Sequence, residues 1–443
     1  MTADGWRSRV RGVLTDQEAR VLMLEASDGT TLPAVDIDGF ADEELEAVRR
    51  AFEQLLGARV AILRYLERSL DRERRRFDVV YILERLDSTW DPPPGATWLD
   101  RSALDDGHRE LLLDHLGSIE QQHVPAERAP WARAGWLAEA SEWIESSLAA
   151  LGRAPTGPVE QVRSWFLSSV LRVPTKGGPV YFKATTLSPL FVDEGRVMQG
   201  LARLFRREVP RPLAIERSRR WMLLDDIGGP ALGWDAPLEE RESVLRVFAF
   251  MQVASSSNLD ALLAMGCIDR RPAWLARETR KLLRDDEALA GLDEHETVRL
   301  RSLEPLVVAL CVRLDEGGVP DALVHGDLHL GNVARVGRSY VFFDWTDACV
   351  AHPFLDLIEV HREEDQDVRA RLRDAYLSIW TDYGSPEELL ELWEVATPLA
   401  ALNQAVSYRH ILANAEPGAV QEVEWWLPHW LRQVLETDFD AVP

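Results

Sequence analysis

The stretch that most constrains this chain is His325-Gly326-Asp327-Leu328-His329-Leu330-Gly331-Asn332, followed by Tyr340-Val341-Phe342-Phe343-Asp344-Trp345. It gathers two carboxylates, an amide and two histidines around a short hairpin. Val333 to Val336 reads as one strand and Tyr340 to Phe343 as the next, with Gly337-Arg338-Ser339 turning the chain between them. Facing Val336 with Tyr340 places Asn332 opposite Asp344, so two oxygen donors emerge at one end of the hairpin. Asp327 lies on the loop feeding the first strand. An acid that orients an attacking hydroxyl, beside amide and carboxylate oxygens suited to Mg²⁺, is the set that phosphoryl transfer requires.

A chain of 443 residues is long enough for two or three domains. Its 46% hydrophobic and 28% charged residues describe a globular protein. Fifty Lys and Arg against 74 Asp and Glu give a formal charge of −24. That excess disfavours non-specific binding to nucleic acid or to an anionic membrane, and it is compatible with a cationic substrate. Cys267, Cys311 and Cys349 stand apart without metal-ligand spacing and read as buried thiols. The N-terminus has no apolar signal core, and no run reaches the roughly 18 apolar residues of a membrane helix. A cytoplasmic location is expected.

Arg20 to Ala26 and Leu32 to Ile37 read as strands joined by Ser27-Asp28-Gly29-Thr30. Glu43 to Leu56 reads as an amphipathic helix ended by Gly57, and Val60 to Tyr65 and Phe77 to Leu83 as two further strands. This β-β-α-β-β order, with Arg50, Phe52 and Gly57 in and after the helix, weakly resembles a Nudix domain. Gln54 and Leu55 stand where that family carries metal-binding acids, so the resemblance implies an inactive accessory domain; a small unrelated α+β domain is the alternative. Helices are expected over Leu104 to Ile119 and Trp136 to Leu151, with linkers at 124–130 and 153–158.

Val159 to Trp165, Ser169 to Val173 and Val180 to Ala184 read as three strands, the last carrying Lys183 among apolar residues. A helix from Asp193 to Arg206 then presents Val197, Met198, Leu201, Leu204 and Phe205 on one stripe, with Glu194 on the buried side. A buried carboxylate needs a cationic partner, and Lys183 is the nearest upstream candidate; Asp193, one residue off that face, is the competing acid. A strand lysine with a helix glutamate is the pair that holds ATP phosphates in kinases. Trp221 to Gly229 reads as an apolar strand whose end, Leu224-Asp225-Asp226, would offer backbone groups to adenine.

Lys183, Glu194, Leu224 to Gly229, Asp327, Asn332 and Asp344, taken in order, resemble the aminoglycoside phosphotransferase and choline kinase family, small-molecule kinases built like protein kinases. The family signature His-Gly-Asp-x-His-x-x-Asn is complete from His325 to Asn332, with Asp344-Trp345 following. The resemblance implies an α+β fold: a bilobal protein-kinase-like part, with an antiparallel-sheet N-lobe and a mainly helical C-lobe, preceded by the small Nudix-like domain. The expected division is 1–123 accessory domain, 124–157 helical linker, 158–229 N-lobe and 230–443 C-lobe. The family pattern makes Asp327 the catalytic base and Asn332 and Asp344 the Mg²⁺ ligands. It gives Lys183 and Glu194, with Leu224, Asp225 and Asp226, to ATP. It makes Asp356 a brace for the catalytic loop. His325 and His329 read as loop supports. The expected partner is a small hydroxylated acceptor. Ser164 to Ser168 lacks the glycines of a phosphate loop, and no Ala-Pro-Glu segment points to a protein substrate.

The C-terminal part reads as helices over 244–253, 259–265, 274–283, 297–314, 368–383, 386–402 and 419–435. Acidic clusters at Glu359, Glu363, Glu364, Asp365 and Asp367, and at Asp285, Asp286 and Glu287, could meet an amine but suit solvated helix faces as well. Trp426 and Trp430 share one helical face, as core or as a cleft wall. The alternative to an enzyme is a nucleotide-binding regulatory or scaffold protein, in which Asp327 would have no purpose.

Overall fold

The structure, a computed structural model, describes residues 5–27, 29–121, 123–233, 235–356, 360, 363–437 and 439. The chain forms two compact units, Met1–Thr186 with Ala415–Ala419, and Leu187–Asn414 with Val420–Pro443.

The first unit is built on a four-stranded sheet of order β4-β1-β6-β5, with β1 Arg7–Leu14, β4 Ala34–Asp38, β5 Val60–Asp71 and β6 Arg76–Arg85. Strand β1 is absent from the sequence reading. Its Arg7, Arg9 and Arg11 look polar, yet they alternate with buried Ser8 and Val10, and Arg9 meets Asp36 at 2.7 Å. It runs antiparallel to β4 and parallel to β6. The single strand expected over Leu32 to Ile37 is broken in two. Gly29–Thr31 (β3) pairs with Val21–Ala26 (β2), and β4 pairs with β1. Pro33, which has no N–H to give a ladder, lies in the break. Strand β2 also pairs with Ala96–Leu99 (β7). Asp28 of the expected turn lies outside the described residues.

Helix α1 (Leu45–Leu56) buries Leu45, Val48, Phe52 and Leu56 in the core of this sheet and ends at Gly57, left-handed at φ 65°, whose N–H bonds Glu53 O. One helix expected over 104–119 is two, α2 (Asp106–Leu111) and α3 (Leu113–Glu120); α4 is Trp136–Ala150. Strands β8 (Glu160–Ser164), β9 (Ser168–Val173) and β10 (Val180–Thr185) follow as an antiparallel set. They are tied into the first unit by polar and aromatic contacts. The buried Gln161 amide accepts from Ile62 N–H at 2.8 Å and donates to Ile62 C=O at 2.9 Å, standing in for a strand neighbour. Trp136 and Trp143 meet Phe182 edge-on. The short segment 415–419 completes the unit, with Glu416 held by Arg128 at 2.7 Å and Ala419 C=O by the Tyr65 hydroxyl at 3.2 Å.

The second unit opens with α5 (Glu194–Leu204) and the antiparallel pair β11 (Ala214–Glu216) and β12 (Trp221–Asp225). Helices α6 (Leu238–Ser255), α7 (Leu259–Met265), α8 (Pro272–Leu282), α9 (Glu294–Ser302) and α10 (Glu304–Glu316) follow. The helix expected over 297–314 divides at Leu303, and Pro305 takes the first turn of α10, where its missing N–H breaks no intrahelical bond. A small sheet of β13 (Ile268–Asp269), β17 (Cys349–Ala351) and β14 (Ala322–Val324), in that order, accompanies the hairpin β15 (Val333–Val336) and β16 (Ser339–Phe342), which lies between β14 and β17 in sequence. Then come α11 (Gln366–Leu377), α12 (Pro386–Ala413) and α13 (Trp426–Glu436). Helix α12 starts at a Ser385–Glu388 capping box and runs through Pro398, past its expected end at Leu402. Leu238–Met265 is long and apolar enough to cross a bilayer, at mean hydropathy 1.2. Its Val244, Leu245, Phe248 and Ala249 belong instead to the core around Trp345, Tyr376 and Trp380. The three cysteines are buried and unpaired.

Phe52 fills the centre of the first core and is fully buried. Phe52→Ala should therefore cost about 3–5 kcal/mol in the denaturant transition of that unit; a loss under about 1 kcal/mol would show that the sheet does not depend on α1. Burial, aided by the charges of Arg64 and Arg128, lowers the His115 pKa from 6.5 to about 3. The unfolded chain then binds a proton that the folded one excludes. Stability should fall as pH drops from 6.5 toward 3 by up to about 1.4 kcal/mol per pH unit. His115→Gln should reduce that slope in midpoints measured against pH, and an unchanged slope would contradict it.

Candidate active site

The loop between β14 and β15 carries the signature residues, and its backbone is fixed from below. Asp356 is fully buried and accepts from His325 N–H at 2.5 Å and Gly326 N–H at 2.7 Å. Burial drives its carboxyl well above the usual range. Gly326 adopts φ 85°, and a Cβ there would stand 2.6 Å from Asp347 O, so no other residue fits. The Gly326 carbonyl accepts from Gln404 Nε2, on α12, at 3.0 Å.

Both histidines are committed to this loop. His325 Nε2 lies 3.0 Å from Phe343 O and its Nδ1 faces Asp327 N–H at 3.4 Å. A carbonyl can only accept, so the proton sits on Nε2 and Nδ1 is the acceptor. Burial lowers the imidazole pKa, which keeps it neutral. His329 Nδ1 accepts from Gly331 N–H at 3.0 Å, leaving Nε2 as the donor, 3.7 Å from Asp327 Oδ2.

Asp327 is half exposed, its carboxylate reaching solvent from a fixed loop. Asn332 Nδ2 donates to its carbonyl at 2.9 Å and to its Oδ2 at 3.3 Å. That leaves the Asn332 amide oxygen without a hydrogen-bond partner among the described residues, turned out of a 6% exposed side chain. The hairpin register differs from the one expected. Val336 pairs with Ser339, the turn is Gly337-Arg338 alone, and Val333 pairs with Phe342. Asn332 therefore faces Phe343, whose N–H bonds its carbonyl at 3.0 Å, and Asp344 comes one residue later. A slip of one residue turns a side chain to the other face of a strand. Here the left-handed backbone of Asp344, φ 65° and ψ 57°, redirects the chain immediately after the hairpin.

The segment after the hairpin is clamped by Glu194, at the first turn of α5. This 2% exposed carboxylate accepts from Trp345 N–H at 3.1 Å and lies 3.3 Å from the Thr346 hydroxyl. The same hydroxyl is 2.9 Å from Asp344 Oδ1 and, having one proton, gives it to that nearer oxygen. Arg270, fully buried, donates to Leu190 O at 2.7 Å and to Ser407 Oγ at 3.1 Å, and its guanidinium stands 3.9 Å from Asp347. Thr346 neighbours the signature and could have been noticed. Arg270 and Gln404 lie on remote helices and strand ends with no local pattern to mark them.

Leu224 and Asp225 end β12, and Asp226 accepts from Gly228 N–H at 2.7 Å. The chain then docks on the hairpin. Ala231 bridges Ala334, Leu232 N–H bonds Val333 O at 2.8 Å, and a Cβ on Gly229 would lie 2.2 Å from Arg335 O. Lys183 belongs to the first unit, buried on β10 opposite Val170 of β9. The acidic clusters are largely engaged. Glu363 pairs with Arg241, Asp365 caps α11, Asp285 pairs with Arg409 and Asp286 with Arg301; Glu359 lies outside the described residues. Trp430 is core, while Trp425 is half exposed and stacks on Trp426 at 3.8 Å.

In the helix of the first unit that resembles a Nudix helix, Glu46 and Glu53 both pair with Arg49. Among the described residues, no group of three or more His, Cys, Asp or Glu is arranged for a metal ion. The comparisons do not confirm the Nudix resemblance.

Residues 159–389, just over half of the chain, match the phosphotransferase enzyme family (APH). No curated protein matches the chain. Among solved structures, a choline/ethanolamine kinase family protein from Mesorhizobium loti is similar at TM-score 0.49 and 15% identity, over 67% of this chain and 95% of that one. Choline kinase LicA from Streptococcus pneumoniae is similar at 0.49 and 13%, over 68% and 100%. Macrolide 2'-phosphotransferase MphH from Brachybacterium faecium is similar at 0.41 and 18%, over 64% and 97%. With its signature loop, hairpin and bracing carboxylate in place over the matched residues, the chain belongs to the phosphotransferase enzyme family and is a small-molecule kinase.

Proposed function

We propose that the protein moves the γ-phosphate of ATP to a hydroxyl of a small hydroxylated molecule, with Asp327 as base. The observation that carries this reading is the Asp327–Asn332 contact, which fixes an exposed carboxylate beside a spare amide oxygen. In the transfer, the acceptor oxygen bonds to phosphorus, the bond to the bridging oxygen breaks, and the hydroxyl proton passes to Asp327. Neutral His325 holds the loop, and His329 braces it through Gly331 N–H.

Asn332 and Asp344 fit Mg²⁺ by chemistry. Both offer hard oxygens, and Mg²⁺ in phosphoryl-transfer sites uses one or two carboxylates with phosphate oxygens and water for the rest. That donor set needs no cluster of three acids. When bound, the ion would neutralise phosphate charge. Thr346, donating to Asp344 Oδ1, and Glu194, holding Trp345 N–H, keep the carboxylate aimed. Lys183 is assigned to the ATP phosphates and Leu224, Asp225 and Asp226 to the adenine side, on the order of the family motifs. Residues 1–123 are read as an accessory domain without hydrolase chemistry.

Asp327→Asn should lower kcat by about 10²–10⁴-fold. ATP-induced thermal stabilisation should stay near wild type in that variant. Undiminished turnover would remove Asp327 as base. Stabilisation by ATP without transfer to any member of a hydroxyl-compound panel would favour a nucleotide-binding regulatory protein instead. Chelation with EDTA should stop turnover and excess Mg²⁺ should restore it. Asn332→Ala should raise the Mg²⁺ concentration needed for half-maximal rate by about tenfold or more; an unchanged Mg²⁺ requirement would argue that the amide is not a ligand.

A further inference from the structure

The second unit holds a cleft of about 550 Å³ at the end of α5 that contains neither Asp327, Asn332 nor Asp344. Arg203, Arg206, Arg207 and Arg211 line it, opposite Asp225 and Asp226 at the end of β12. All four arginines are exposed, and among the described residues none makes an ion pair or a side-chain hydrogen bond.

Exposed arginines of this chain divide in this respect: Arg72, Arg299 and Arg338 likewise stand without an ion pair among the described residues, while others find carboxylates. Arg50 meets Glu160, Arg271 meets Asp269, and Arg432 meets Glu296, each at 2.8 Å or less. The helix dipole accounts for one member of the group. Arg203 lies in the last turn of α5, where a cation complements the carbonyl end. The effect fades within a turn, and Arg206, Arg207 and Arg211 lie beyond it. Four guanidinium groups against two carboxylates give the lining a formal excess of 4 − 2 = +2 in a chain of −24. One of the two carboxylates, Asp226, is already turned to Gly228 N–H.

Four cations lining one cleft raise its local potential, so an entering anion is attracted by all of them. Guanidinium forks match phosphate oxygens in a bidentate way, and the cleft lies in the size range of small-molecule sites. We propose that this cleft binds a small anion bearing two or more adjacent phosphates, at a site that borders the proposed adenine side through Asp225 and Asp226 but contains none of Lys183, Asp327, Asn332 and Asp344. The inference stands on the arginines alone and does not require the proposed role of Asp327.

Inorganic tripolyphosphate is the probe, titrated calorimetrically without Mg²⁺ into the full chain. Three proteins are compared: wild type, a Lys183→Ala variant, and a variant with Arg203, Arg206, Arg207 and Arg211 all replaced by Ser. Wild type and Lys183→Ala should bind with similar affinity, which weakens as salt rises from about 50 to about 200 mM. The serine variant, folded by its unchanged melting transition, should bind about tenfold or more weakly, as expected when charge-assisted hydrogen bonds are lost. If the serine variant does not fold, the double variant Arg206→Ser/Arg207→Ser carries the test with a loss of about threefold or more. Binding that survives the serine changes but disappears in Lys183→Ala would place the probe at the transfer site and overturn the proposal. So would the absence of binding to wild type at the lower salt.

Discussion

The signature loop depends on one buried carboxylate. Asp356 spends both oxygens on consecutive backbone N–H groups, His325 and Gly326, in a place that water does not reach. Unmatched, those two donors would each leave a buried polar group unsatisfied, at about 1–3 kcal/mol apiece. With them held, Gly326 can take a left-handed conformation that its missing side chain permits and that Asp347 O enforces from the other side. Asp327, next in the chain, inherits its position from this arrangement. The rigid parts are buried, and Asp327, the proposed base, is half in solvent.

A second constraint sits on the far side of the hairpin. Glu194 is far from Asp344 in sequence, yet it holds the two residues that follow it. The strained backbone at Asp344 persists because Trp345 N–H, Thr346 and the buried Trp345 ring fix what comes after. Two acids thus do unlike work on one hairpin: Asp356 orders the loop that enters it and Glu194 the turn that leaves it.

What could be read from the sequence was what is local and chemical. His325 to Asn332 and Asp344 announce themselves because the chemistry needs those groups at short spacing. Glu194 is legible because the helical period puts it on the buried face. Its contacts with Trp345 and Thr346 are not, since nothing near Glu194 in sequence points to them. The hairpin register was missed by one residue because Gly337-Arg338-Ser339 suits a three-residue turn as well as a two-residue one, and only packing decides. Strand β1 was missed because its exposed arginines mask the buried alternate positions, whose partners on β4 and β6 lie 20 or more residues away. Arg270 and Gln404 reach the site through tertiary contacts that no local pattern encodes.

The segment 415–419 has a consequence for how the chain is made. Glu416 and Ala419 supply contacts to Arg128 and Tyr65, so the first unit includes residues that leave the ribosome only after Leu187–Asn414 of the second. Domains emerging N-terminal first ordinarily close as they appear. Here the leading unit stays short of its final contacts until the whole of Leu187–Asn414 has been synthesised. The first unit is therefore complete only after most of the second has been made, and a chain truncated before residue 415 lacks part of both units.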